Sequence, residues 1–151
     1  MEKYTKRLIV YISGPISKGN LAANINQGTA AFLRLVKAGL APICTMWSVY
    51  AKECLEFTSS AMFNLPVKVM CQATVTGNDQ MSHADWMGVD LTFVEVSNCI
   101  LRLPGESVGA DAEVAHAKSL GIPVFYTETE LLQWAAERAV EDREAKFEDR
   151  E

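Results

Sequence analysis

Short apolar runs alternating with longer stretches of helical periodicity constrain this chain more than any other feature. Leu8–Ser13, Cys99–Leu103 and Ile122–Tyr126, with a weaker run at Leu40–Thr45, are rich in Ile, Val and Leu. Strands covered on both faces read this way, because neither face meets water. Between them, Asn20–Ala38 stops at Gly39 and Ser107–Leu120 stops at Gly121, while His83–Ser97 and Thr129–Glu144 share the helical spacing. Glycine just past the last periodic residue is a common helix stop. Strands alternating with helices predict right-handed βαβ units and an α/β fold. The expected architecture is a doubly wound, mainly parallel sheet of four to five strands with helices on both faces.

The chain of 151 residues is long enough for one domain that buries about two-thirds of its unfolded surface. That domain is expected over 1–146. Of the 15 residues from Glu137 to Glu151, 11 are charged with both signs mixed. This pattern predicts a solvated last helix that frays over 147–151. Trp47–Gln80 is harder to read: Ser48–Phe57 has helical spacing, and 64–80 suits either an extra strand or an active-site loop. A net charge of −5 argues against a groove for polymeric nucleic acid, which needs a clustered basic surface. It leaves room for a small anionic ligand, since backbone N–H groups bind anions regardless of net charge.

The four cysteines, Cys44, Cys54, Cys71 and Cys99, form no CxxC pair and hence no zinc signature. Reduced, partly buried thiols are expected. The first apolar run, Leu8 to Ile12, is too short for a signal peptide or a membrane span. A cytoplasmic protein without membrane contact is therefore expected.

Helical phase places two carboxylates on unexpected faces. At about 100° per residue, Gly109, Ala110, His116, Ala117 and Leu120 fall within roughly 60° of Glu113, whereas Asp111, Ala115 and Lys118 point away. Glu113 thus lies on the sheet-facing side, where small residues leave space. In the preceding helix Asp90 shares its face with His83, Trp86, Met87, Phe93 and Val94, opposite Asp85, Thr92 and Glu95. An inward charge is costly unless it is paired, hydrogen-bonded or set in a cleft. These acids flank one strand, and paired carboxylates can divide nucleophile and acid/base roles. The plainer alternatives are that Asp90 hydrogen-bonds a neighbouring loop and that Glu113 answers the helix dipole.

Two loops suit a ligand. "YISGPISKGN" follows the first strand, with Gly14 permitting close backbone approach, Pro15 stiffening the turn, and Lys18 either adding positive charge or simply solvated. It is neither GxGxxG nor a P-loop. In "LPGESVG", Ser107 is a natural N-cap and Gly109 frees the backbone at a helix start, where N–H groups favour phosphate or carboxylate. A capping role alone explains Ser107 equally well.

Three blocks together resemble the nucleoside 2-deoxyribosyltransferase superfamily, which includes the deoxynucleoside 5′-monophosphate N-glycosidases. They are Y-I-S-G-P at Tyr11–Pro15, D-L at Asp90–Leu91, and S-x-G-x-x-x-E at Ser107–Glu113 followed by A-x-x-x-G-I-P-V. The resemblance spans Leu8 to about Tyr126 and is most specific in the last block. It implies a flavodoxin-like (Rossmann-like) fold and cleavage of an N-glycosidic bond in a nucleoside or nucleoside 5′-monophosphate, by hydrolysis or by transfer to another base. It implies that Glu113 attacks the anomeric carbon, that Asp90 contacts the sugar or helps the base depart, and that Tyr11 orients the nucleophile. Ser107 matches a phosphate-binding serine.

The resemblance also implies that no metal or organic cofactor is needed, and that the protein is a homo-oligomer, dimer or tetramer. Asn98 stands where many members carry an acid that contacts the leaving base. Lys18 stands one position after an arginine of the nucleotide-cleaving members. His83 and Trp86 share Asp90's face and are placed toward the pocket, with core packing the favoured role for Trp86. The rival reading is a nucleotide-binding sensor or subunit that uses the same pocket without turnover.

Overall fold

The computed structural model describes residues 6–47 and 82–148, with side chains described to Glu141. The expected helix at Ser48–Phe57, the strand or loop over 64–80, Cys54, Cys71 and the end of the charged tail lie outside those residues. The elements in chain order are β1 (Ile9–Ser13), α1 (Leu21–Lys37), β2 (Ala41–Ile43), a 3₁₀ turn (Thr45–Trp47), α2 (His83–Val96), β3 (Cys99–Arg102), α3 (Val108–Ser119), β4 (Val124–Phe125) and α4 (Glu128–Glu148). Among the described residues the four strands form one all-parallel sheet in the order β2-β1-β3-β4. The chain is an α/β protein with a doubly wound, flavodoxin-like architecture.

Strand alternation divides the helices between the two faces. Val10, Ile12, Cys99 and Leu101 point to one side and pack with Ala31 and Leu35 of α1 and Leu131 and Ala135 of α4. Tyr11 and Ile100 point to the other side, where they meet Val94 of α2 and Ala117 of α3. The period of two along a strand makes this partition unavoidable once both faces are covered. Burial pushes the Cys99 thiol up to about 12 and the Cys44 thiol up as well, so both stay protonated within the core.

The boundaries differ from the sequence expectation for local reasons. Pro123 has no N–H, so β4 is short; its carbonyl still accepts from Ile100 N–H at 2.9 Å. The weak run Leu40–Thr45 gives three strand residues before the chain tightens into the 3₁₀ turn. α4 continues to Glu148, past the point where fraying is expected. Leu120, placed by phase on Glu113's inward side, is 51% exposed because α3 stops at Ser119 and Leu120 leaves the helical path.

Caps fix the helix starts facing the site. Asn20 accepts from Ala23 N–H at 2.9 Å to open α1, and Asn24 Nδ2 donates to the Ile16 and Lys18 carbonyls, holding the β1–α1 loop. Ser82 and Asp85 exchange hydrogen bonds in a capping box that opens α2. Ser107 Oγ accepts from Ala110 N–H at 3.2 Å to open α3. No helix among the described residues is long and apolar enough to cross a membrane.

Candidate functional site

The site lies at the carboxyl end of β1, on the face covered by α2 and α3. Tyr11 and Ser13 are two apart on β1 and so project to the same side, beneath α3. Glu113, 6% exposed on the inward face of α3, takes a hydrogen bond from each. The Ser13 hydroxyl donates to Oε2 at 2.5 Å and the Tyr11 phenol donates to Oε1 at 3.0 Å. Thr45 Oγ1, in the turn after β2, lies 3.0 Å from the same phenolic oxygen. A carboxylate held by a donor on each oxygen cannot rotate freely, and an ionised one satisfies both donors.

Electrostatics tie Asp90 to this cluster. Burial pushes its carboxyl above the usual range, opposed by the hydroxyls of Thr45 and Tyr11 and by the charge of His83. Glu113 is pushed up to about 7, first by burial. The Ser13 hydroxyl works against that, the Asp90 charge adds to it, and the Tyr11 hydroxyl and the Arg102 charge oppose it. Burial and the Glu113 charge drive the Tyr11 phenol strongly upward, so it remains a donor. Two carboxyl groups near one phenol, each pushed toward the protonated form, are arranged to hold and pass a proton near neutral pH.

The two loops meet beside this cluster. Gly14 passes so close to β3 that a Cβ there would stand 3.1 Å from Leu103 Cβ. Gly105, at φ +116°, faces Pro15 so tightly that a Cβ would come within 2.8 Å of its ring. Lys18 Nζ reaches Glu106 Oε2 at 3.0 Å, bridging the loops through two exposed side chains. An exposed pair of this kind contributes little stability, about 1 kcal/mol at most. Gly109 has room for a Cβ at ordinary contact distance, so local space does not dictate glycine there.

Of the residues singled out in the sequence, Tyr11, Asp90 and Glu113 form one cluster. Gly14, Pro15, Lys18, Ser107 and Gly109 sit in the two adjoining loops or at the start of α3, and His83 is exposed in the first turn of α2. Asn98 is elsewhere. Its Oδ1 accepts from Ile9 N–H at 2.7 Å and its own N–H donates to the Ile9 carbonyl at 2.8 Å. That is the amino end of β1, about 13 Å along the strand from Ser13. The structure does not bring Asn98 to this cluster: its Oδ1 pins β1 to β3 at the other end of the strand. Asn98→Ala is expected to cost about 1 kcal/mol in denaturant unfolding while leaving any turnover within about twofold.

Three contributing residues escaped the sequence reading. Ser13 follows Tyr11 by two in a strand, a period that already marks it as a neighbour on the same face. Arg102 is a charge inside an apolar strand, an anomaly visible in the sequence. Thr45 carries no such signal, because its place depends on a turn that periodicity does not predict. Among the described residues, no group of three His, Cys, Asp or Glu side chains is placed to hold a metal ion. No protein-family model and no curated protein matches the chain.

Proposed function

We propose that this protein cleaves the N-glycosidic bond of a nucleoside or nucleoside 5′-monophosphate, with Glu113 as the nucleophile. The observation that carries the reading is a buried carboxylate fixed by Tyr11 and Ser13 and electrostatically coupled to Asp90. In the proposed reaction a Glu113 oxygen bonds to the anomeric carbon as the carbon–nitrogen bond breaks and its electron pair leaves with the base. Asp90 supplies the proton that neutralises the base. Water, or the nitrogen of a second base, then displaces the Glu113 carboxylate and returns a proton to Asp90. An oxocarbenium-like transition state gains from the adjacent negative charge.

Ser107 and the N-terminal end of α3 favour a substrate carrying a 5′-phosphate. A cytoplasmic location and assembly as a homo-oligomer belong to the same reading, and light scattering that finds only monomer counts against the second. The activity is tested by incubating the protein with a panel of nucleosides and monophosphates and following free base by chromatography. Base released from at least one member, faster with monophosphates, is the expected result.

One observation favours a second reading. Both Glu113 oxygens are already engaged by hydroxyls, as suits a group that only binds a sugar. A nucleotide-binding subunit of this kind predicts thermal stabilisation by nucleotides with no base released at any protein concentration.

A further inference from the structure

We propose that Arg102 is a positioning residue for Glu113, locking α3 against the sheet and setting a positive charge next to Ser13, which holds the carboxylate. Ser13 and Arg102 are direct partners in the register of β1 and β3, so their side chains leave the sheet side by side on the same face. Each grips α3. The Ser13 hydroxyl holds Glu113 at 2.5 Å, and the Arg102 guanidinium holds Asp111 Oδ1 at 3.1 Å. Asp111 and Glu113 are two apart on the helix and point to nearly opposite sides. Fixing both sets the rotation of α3 about its axis, and with it the direction of the nucleophile.

The guanidinium also donates to the Leu103 carbonyl and, at 2.8 Å, to the Gly105 carbonyl. These contacts tie the β3–α3 loop, whose Gly105 meets Pro15, to the same side chain. Arg102 is 8% exposed. A neutral amide would serve those carbonyls without the cost of burying a charge, so the charge calls for an anion that benefits from it.

The titratable groups acting on Glu113 among the described residues are Tyr11 on β1, Asp90 on α2 and Arg102 on β3; His83 acts on Asp90, and Asp111 on the same helix points away. His116, one turn along α3, is turned to Glu95 at 3.0 Å. Of the charges acting on Glu113, Asp90 favours its protonated form and Arg102 its ionised form.

The test follows the side-chain carboxyl carbon of Glu113 by NMR across pH, its signal identified by its loss in Glu113→Gln. Arg102→Gln keeps donors for the loop carbonyls and removes the charge; it should raise the midpoint by about half a pH unit, about a threefold loss of the ionised form at a pH well below it. Arg102→Lys should leave the midpoint within about 0.3 pH unit of the original. An unmoved midpoint in Arg102→Gln overturns the proposal, as does an equal shift in Arg102→Lys. Asp111→Asn alters an exposed side chain and keeps the test decisive if Arg102→Gln does not fold. It should lower the midpoint, because the guanidinium loses its other anion and its charge then acts on Glu113 alone; a midpoint that does not fall overturns the proposal. The proposal rests on the glycosidase reading only in taking Glu113 as the reactive group. Because the titration uses the free protein, a chain that releases no base leaves this test intact.

Discussion

Glu113→Gln should abolish base release, by about 10⁴-fold or more, and should at the same time make the folded protein more stable above neutral pH. The first effect follows from chemistry, since an amide is a poor nucleophile and cannot carry the negative charge that an oxocarbenium-like centre requires. The second follows from linkage. Folding raises the carboxyl of Glu113 from 4.5 to about 7. Between those values the folded state holds a proton that the unfolded chain has released, so stability falls as pH rises through this window and levels off above it. The loss approaches about 3 kcal/mol above pH 7.

A glutamine at position 113 carries no charge to desolvate and escapes that loss. It also satisfies the same neighbours, because Ser13 and Tyr11 hydroxyls accept as well as donate. The expected gain at pH 8 is about 2 kcal/mol, seen as a Tm higher by about 6 °C, with no gain at pH 4. Loss of both activity and stability would instead mark Glu113 as a structural anchor. Activity retained with stability gained would remove it from the chemistry.

The second large effect lies in the pH profile. If the ionised form of Glu113 attacks, kcat/KM falls about tenfold per pH unit below the midpoint near 7, which makes it about a hundredfold lower at pH 5. Asp90→Asn removes the neighbouring negative charge that raises Glu113, so this limb should move to lower pH even as the maximum rate drops. Initial rates across pH 4.5 to 9 for both proteins check this. A limb that stays near 7 in Asp90→Asn would assign it to another group.

The two outcomes connect the site to its sequence. Burial in the packed layer between α3 and the sheet is what pushes Glu113 up, and that burial was legible from phase alone, since small residues surround the acid on its inward face. The βαβ order was legible for a similar reason: strands covered on both faces lack polar alternation, and glycines close the helices. Phase thus assigned Glu113 to the sheet-facing side, whereas Tyr11 entered only through the family resemblance.

Other features depended on long-range pairing that periodicity does not encode. Register decides that Ser13 stands beside Arg102 rather than beside Ile100, and only then does the buried arginine acquire a partner on α3. Asn98, immediately before β3, lies at the amino end of the parallel sheet, and register only decides that it meets Ile9 there. Thr45 joins the cluster because the chain tightens into a 3₁₀ turn where the run from Leu40 suggested continuing strand. Leu120 shows the limit of phase at a helix end, where the assumed 100° step no longer applies.

The most direct measurement of the central claim is mass spectrometry of the acid-quenched protein during turnover of a 2′-deoxynucleoside monophosphate. The peptide containing Glu113 is predicted to carry the added mass of one deoxyribosyl phosphate in an ester that hydroxylamine removes. Base released with no adduct on that peptide, or an adduct on a different side chain, would contradict the assignment of Glu113 as the nucleophile.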